Sequence, residues 1–296
     1  MGTIYSIIDV GTNSILLLIA EKNINNITVF HRDAQTSSLG KGMKNGILTQ
    51  DGIERVKALL DKFIRISRDY HAEKIIITGT SASREAKNIS ALSNWLKEKY
   101  ELPYLILTEE QEIYYIFLAN RFEFDELEDL VIFDIGGGST EFIIAKQKAI
   151  DYSISTKMGV RRLNNDFDDE SKKVAYCRAK LIESDVMQHT PNTFSVVGVG
   201  GTVTNLIAVK HELKEWDSEK VHKQVLTLHD IEYFKSMWKK LSFDEIEKLI
   251  PFDPHRSDVL LSGTIILECI FEYLQINKIF VSDRGLQFGI LQDAKN

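Results

Sequence analysis

One pattern occurs twice in this chain and limits what it can fold into: an apolar run ending in Asp, a glycine turn, then a second apolar run. It reads Ile8-Asp9-Val10-Gly11-Thr12-Asn13-Ser14 near the start and Phe133-Asp134-Ile135-Gly136-Gly137-Gly138-Ser139-Thr140-Glu141 near the middle. Short apolar runs on either side of a glycine turn predict a strand-turn-strand unit at each place. A shift of 125 positions lays Asp9-Val10-Gly11 over Asp134-Ile135-Gly136 and Ser14 over Ser139. A second match, Ile77-Thr78-Gly79-Thr80 over Val196-Val197-Gly198-Val199, has a shift of 119. Both fall at the same point of a strand, strand, strand, helix, strand, helix run, which marks an internal duplication. The expected fold class is therefore α/β with two domains, 1–124 and 125–296, and an interdomain cleft.

The coarse elements follow from periodicity. Strands are expected at Ile4 to Val10, Ile15 to Ala20, Ile27 to His31, Lys74 to Thr78 and Pro103 to Leu107. A helix is expected from Gln50 to Tyr70, with Ile53, Val56, Leu59, Leu60, Phe63 and Ile64 on one face. A second helix is expected from the Gly79-Thr80-Ser81 turn through Trp95, and a third from Thr108 to about Ala119, with Thr108 and Gln111 at capping-box spacing. The acidic stretch Glu123 to Asp129 reads as a linker. The pattern then restarts, with strands at Leu130 to Phe133, Glu141 to Ala145 and Ala149 to Ile154, and a helix from Ser171 to Gln188. A strand at Phe194 to Val199 runs into a Gly200-Gly201-Thr202 helix start, and Ile279 to Val281 is a last strand before a terminal helix.

Charge and missing motifs narrow the function. Lys plus Arg number 36 against 43 Asp plus Glu, a net charge of -7, so nucleic acid is not expected as a partner. Two distant cysteines argue against a disulfide framework. With no secretory start and no apolar run long enough to span a bilayer, a cytoplasmic location without a membrane partner is the default. No GxxxxGK[ST], GxGxxG in a dinucleotide-binding setting, HExxH or GxSxG occurs.

What remains points to phosphate. Gly11, Gly136, Gly137 and Gly138 lack a Cβ, so backbone N–H groups can approach an anion, and Asn13, Ser14, Ser139 and Thr140 add side-chain donors. Gly200, Gly201 and Thr202 open a helix, where N–H groups again favour an anion. Arg84 stands on a similar turn and is a candidate phosphate clamp. Asp9, Asp134 and Glu141 crowd carboxylates around the same turns, a conflict that a hard divalent cation such as Mg²⁺ resolves. Each Asp could instead brace its own turn as an Asx residue.

These segments resemble the exopolyphosphatase/guanosine pentaphosphate phosphatase (Ppx/GppA) family, within the actin-like ATPase superfamily. Further matching segments are Gly79-Thr80-Ser81-Ala82-Ser83-Arg84-Glu85-Ala86-Lys87-Asn88, Gly198-Val199-Gly200-Gly201-Thr202, Arg256-Ser257-Asp258-Val259 and Ser282-Asp283-Arg284-Gly285-Leu286. The resemblance implies two ribonuclease-H-like (actin-like ATPase) domains and Mg²⁺-dependent hydrolysis of a terminal phosphoanhydride in inorganic polyphosphate, guanosine pentaphosphate or another nucleotide polyphosphate. It also implies a catalytic Glu112, although acids in the first turn of a helix are favoured by its dipole alone. The superfamily further implies a terminal helix, near 284–296, that crosses back to the first domain. The chain departs from the family at Glu109, where a Gly is usual, and at Ser38, Tyr114 and Gln287, where an Arg is usual. Fewer cations favour short chains over long polyphosphate, or a catalytically weak sensor that binds an alarmone or nucleotide in the same cleft. A homodimer is compatible with the sequence.

Overall fold

The computed structural model describes residues 2–24 and 26–294. The chain divides into two compact units, one running to Leu118 and resuming at Leu286, the other Ala119–Gly285. In the first unit β1 (Thr3–Val10), β2 (Ser14–Lys22) and β3 (Ile27–Thr36) form an antiparallel meander. The helix α1 (Gln50–Asp69) leads to β4 (Lys74–Gly79), which lies parallel to β1. Two helices, α2 (Ser81–Glu85) and α3 (Ser90–Tyr100), precede β5 (Tyr104–Ile106), and α4 (Glu109–Glu123) follows. The sheet order is β3-β2-β1-β4-β5.

The apolar face expected on α1 is the one that is buried. Ile53, Val56, Leu60, Phe63 and Ile64 pack with Ile8, Val10, Ile15, Leu17 and Ile19 of the sheet, and Leu59 lies at the margin. The expected single helix through Trp95 is two, broken at residues 86–89. There the Asn88 side chain closes a two-way pair with Leu48, accepting its N–H at 3.0 Å and donating to its carbonyl at 3.0 Å, which holds the backbone out of the helix.

The second unit repeats the plan. It begins with β6 (Leu130–Ile135), β7 (Thr140–Lys146) and β8 (Ala149–Thr156), then α5 (Val160–Asp166), α6 (Glu170–Glu183) and α7 (Val186–His189). Next come β9 (Ser195–Val199), α8 (Gly201–Lys210), α9 (Ser218–Val221), β10 (Val225–Thr227), α10 (Leu228–Trp238), α11 (Phe243–Leu249) and α12 (Leu260–Leu274). The last elements are β11 (Lys278–Val281) and α13 (Leu286–Asp293), the latter in the first unit. The sheet order is β10-β11-β9-β6-β7-β8. Read from β8, this is the first unit's order with β10 added at the edge. The expected helix over 171–188 divides at Ser184 and Asp185, where Asp185 takes a left-handed conformation (φ 52°) and the Ser184 hydroxyl bonds the Leu181 carbonyl at 2.6 Å.

Strand register corrects the second internal match. Thr78 pairs with Asp9 and Val199 with Asp134, so the structural shift is 121 rather than 119, and Gly79 corresponds to Gly200. The two-residue difference keeps every side chain on its face, which is why the sequence alone does not betray it.

The acidic stretch is not a linker at its start. The units divide inside α4, between Leu118 and Ala119. Beyond that point Asn120 Nδ2 donates to the Arg284 carbonyl at 3.0 Å, and the Phe124 ring meets Phe280 and His222 with centroids 6.0 Å away in each case. Glu123 is held by His222 Nε2 at 3.0 Å, Arg284 Nε at 3.4 Å and Lys223 at 3.6 Å. His222 Nδ1 also lies 3.4 Å from Asp283, which accepts from the Ser218 hydroxyl at 2.5 Å. In the first unit α13 packs on β1 and β2, where Gln287 Nε2 donates to the Ile7 carbonyl at 3.0 Å. Lys22 Nζ caps the end of α13 at the Gln292 and Ala294 carbonyls, 2.7 and 2.6 Å away.

The bond from His222, followed by the charges of His222, Arg284 and Lys223, holds the Glu123 carboxyl down at about 2 despite opposing burial. Its stabilisation is present above the ordinary Glu value of 4.5 and is lost as pH falls towards about 2. Glu123→Gln is expected to lower Tm at pH 7 by about 2–4 °C, the equivalent of about 1 kcal/mol for a unit of this size. The variant should also lose less stability than the parent below pH 4.5. Thermal melts from pH 2.5 to 7 check this, and parallel acid limbs for the two proteins would refute it.

Candidate active site

The two glycine turns are built alike. Gly11 N–H donates to the Ser14 carbonyl at 2.9 Å, and Gly136 N–H donates to the Ser139 carbonyl at 3.0 Å. In the first unit the turn carbonyls are taken by the loop after β3: Gly40 N–H bonds Thr12 and Ser38 N–H bonds Asn13, both at 2.8 Å. In the second they are taken by the start of α5. Val160 N–H bonds the Gly136 carbonyl at 3.1 Å, Arg161 and Arg162 N–H bond Gly137 at 2.8 and 3.1 Å, and Arg162 Nε bonds Gly138 at 2.8 Å. With the carbonyls tied back, the N–H groups of Gly137 and Gly138 have no acceptor among the described residues. Donors gathered on one side of a turn make an anion-binding concavity.

The side chains at these turns divide into two sets. Thr12 is occupied, its hydroxyl oxygen accepting Ala82 N–H at 3.1 Å and so closing the start of α2. Thr140 donates its hydroxyl to the Met158 carbonyl, and Thr202 is packed against Gly263 of α12. Asn13, Ser14 and Ser139 sit on the turns themselves, with Asn13 and Ser139 buried.

The acids have diverged between the copies. Asp9 ends β1 opposite Leu16 on one side and Thr78 on the other, and the Thr78 hydroxyl donates to it at 3.2 Å. Asp134 ends β6 opposite Glu141 and Val199. A second carboxylate has replaced Leu16, and the hydroxyl donor is gone. Burial and the Glu141 charge push Asp134 up to about 7, partly offset by Arg256. Glu141 is buried and accepts from the Ser155 hydroxyl at 2.7 Å.

Gly200, the residue before α8, has φ +96°, and a Cβ there would lie 2.6 Å from Asp134 Oδ1. A Cβ on Gly201 would lie 2.1 Å from Arg256 Nη1. The start of α8 thus meets a carboxylate at one residue and a guanidinium at the next. Arg256 is buried and 3.8 Å from Asp253, and its place in the sequence, far from every other site residue, gives it no individual role. The segment Arg256-Ser257-Asp258-Val259 was its only local signal.

In the first unit Arg84 and Glu112, separated in sequence, form an ion pair. Arg84 Nη1 lies 2.6 Å from Glu112 Oε2 and 3.0 Å from the Leu107 carbonyl. The capping box at Thr108 and Gln111 forms as expected, with bonds of 3.0 and 3.2 Å. Of the acids in that first turn, Glu109 and Glu110 are exposed and Glu112 is buried. A cavity of about 460 Å³ beside the pair is lined by Ser83, Ile89, Ile106 and Thr108 among others.

At the three positions where the family usually has an Arg, the residues present are held differently. Ser38 adopts φ 49° and bonds the turn through its backbone, while Arg55 reaches the Ser37 and Ser38 carbonyls at 3.0 and 3.4 Å. Tyr114 is exposed and bonds Asp293 at 3.5 Å. Gln287 is buried on the Ile7 carbonyl.

Two sheets of the same core order, each with an Asp followed by a tied-back glycine turn, define a duplicated α/β protein of ribonuclease-H-like type. The Ppx/GppA phosphatase family matches residues 18–295, and the chain belongs to that family. It is 32% identical to the bifunctional 3-dehydroquinate synthase/phosphatase of Fusobacterium nucleatum over 98% of its own length, but spans 46% of that protein. It is 25% identical to exopolyphosphatase 2 of Mycobacterium tuberculosis, covering 96% of each. Among solved structures, an exopolyphosphatase from Cytophaga hutchinsonii matches with a TM-score of 0.89 at 25% identity, covering 98% of this chain and 97% of that one. The Aquifex aeolicus Ppx/GppA family member matches with a TM-score of 0.78 at 25% identity, covering 99% of both.

In metal-free protein the raised Asp134 binds a proton that an unfolded Asp has lost above its ordinary value of 3.8. The folded state therefore holds more protons up to about pH 7, and stability falls as pH rises through that window. Asp134→Asn should flatten this slope, so that its Tm advantage over the parent widens from about pH 5 to pH 8. Calorimetry in chelator tests the point, and an unchanged slope would count against the carboxylate conflict.

Proposed function

We propose that this chain is a Mg²⁺-dependent phosphohydrolase that releases terminal phosphate from short inorganic polyphosphate, guanosine pentaphosphate or another nucleotide polyphosphate. The observation that carries the reading is the turn at Gly136 to Gly138. Its carbonyls are bonded away while two N–H groups are left for an anion, beside a pair of carboxylates that repel each other. Family membership supports it, as do the named exopolyphosphatases among its relatives.

Asp134 and Glu141 fit a hard cation: both offer oxygen ligands, they share a cross-strand position, and their mutual repulsion is what such an ion relieves. Among the described residues no three His, Cys, Asp or Glu side chains converge on one point, so water and substrate oxygens would complete the shell. Bound Mg²⁺ would neutralise charge on the phosphoryl oxygens. In the second unit the Gly137 and Gly138 N–H groups, the start of α8 and Ser139 hold and orient phosphate, and Asn13 and Ser14 are the donors of the first unit's own turn. Arg256, beside that helix start, adds fixed positive charge. Glu112 accepts the proton of the attacking water as the water oxygen bonds to the terminal phosphorus and its bridging P–O bond breaks, and the shortened polyphosphate or nucleotide leaves with the bridging oxygen.

The neutral Ser38, Tyr114 and Gln287 leave fewer cations to track an extended polyanion, which favours short substrates. A phosphate-release panel with triphosphate, long polyphosphate, guanosine pentaphosphate and ATP, with and without Mg²⁺, tests the assignment. Release is expected from triphosphate or a nucleotide polyphosphate and lost in chelator. Glu112→Gln should keep the fold and substrate affinity while lowering kcat by about 10²–10³-fold. Near-parental turnover in that variant would remove Glu112 from the reaction. Tight binding without release at any Mg²⁺ concentration would identify a sensor.

A further inference from the structure

We propose that Arg84 is a positioning residue for Glu112, not a grip on the substrate. The proposal rests on the phosphohydrolase reading above and assigns Arg84 a different role from the phosphate clamp expected of it.

The guanidinium is fixed from three directions. Its own helix, α2, is tied at the start by Ala82 N–H on Thr12 Oγ1 at 3.1 Å and in the middle by the 2.7 Å bond between Ser83 and Tyr104 hydroxyls. Just beyond α2, Lys87 N–H bonds the Gly46 carbonyl at 2.7 Å, and Asn88 closes its pair with Leu48. The carbonyl that receives Arg84 is equally held, because Leu107 N–H donates to the Gly79 carbonyl at 2.9 Å. From this fixed point Nη1 reaches one oxygen of Glu112 at 2.6 Å. The two side chains are 17% and 11% exposed, so water competes little for either.

That arrangement suits an orienting cation. A guanidinium is planar and permanently charged, so it fixes a carboxylate in direction as well as in ionisation. Glu112 is on the first turn of α4 and is buried where Glu109 and Glu110 are exposed. Paired with a carboxylate and a carbonyl, Arg84 offers an incoming phosphate little net charge, and drawing it away would break a mostly buried ion pair.

A double-mutant cycle separates the two roles, using the full-length chain, triphosphate and Mg²⁺. Arg84→Met should lower kcat by about 10–100-fold with KM within about threefold, since the base is misplaced but phosphate contacts remain. Arg84→Lys, which keeps the charge but loses the planar fork, should recover part of kcat. In the Glu112→Gln background, Arg84→Met should cause no further loss of kcat and no fall in triphosphate affinity by calorimetry. Unchanged melting curves for the variants exclude unfolding as the cause.

A KM raised tenfold or more by Arg84→Met, or equal losses in the two backgrounds, would overturn the assignment and restore the clamp. A parent protein that releases phosphate from no substrate would sink the hydrolase reading, and this assignment with it.

Discussion

The backbone of the Gly136 to Gly138 turn is the constraint from which the rest of the candidate site follows. Peptide groups in a tight turn must place both their donors and their acceptors somewhere. Here α5 claims the acceptors, through the N–H groups of Val160, Arg161 and Arg162 and the Arg162 side chain. That single choice leaves Gly137 and Gly138 presenting donors. The corresponding turn in the first unit uses the loop at Ser38 and Gly40 for the same purpose. Different elements thus solve one backbone problem in the two copies.

Duplication supplied the frame, and divergence supplied the chemistry. Asp9 and Asp134 occupy matching strand ends, yet the Thr78 hydroxyl bonds Asp9 while Glu141 opposes Asp134. A carboxylate satisfied by a hydroxyl is a quiet structural group. One forced against a second carboxylate and a buried Arg is a place where a cation changes the energetics most. The second copy therefore carries the stronger case for a metal. The first contributes an ion pair, Arg84 with Glu112.

The neutral residues at Ser38, Tyr114 and Gln287 are not gaps in the structure. Gln287 donates a side-chain hydrogen bond to β1, Ser38 serves the turn through its backbone, and Arg55 approaches that loop from α1. The chain keeps its packing while presenting fewer cations. Thr140 and Thr202 likewise use their side chains for the fold, one on the Met158 carbonyl and the other against Gly263.

The α/β class, the duplication, the main strands and the glycine turns were legible in the sequence because each rests on local periodicity or a local motif. The apolar stripe of α1 and the Thr108 capping box are of this kind. The split of the helix after Gly79 was not legible, since it depends on Asn88 meeting Leu48 from another part of the chain. Nor was the break inside α4, which is set by what Asn120, Glu123 and Phe124 touch in the second unit. Asp134 could be picked out from its motif, but its raised proton affinity required the cross-strand Glu141 and the buried Arg256. Arg84 and Glu112 could each be named separately. That they face each other is a fact of tertiary structure, because residue types and spacing specify what a side chain can do and only packing specifies its partner.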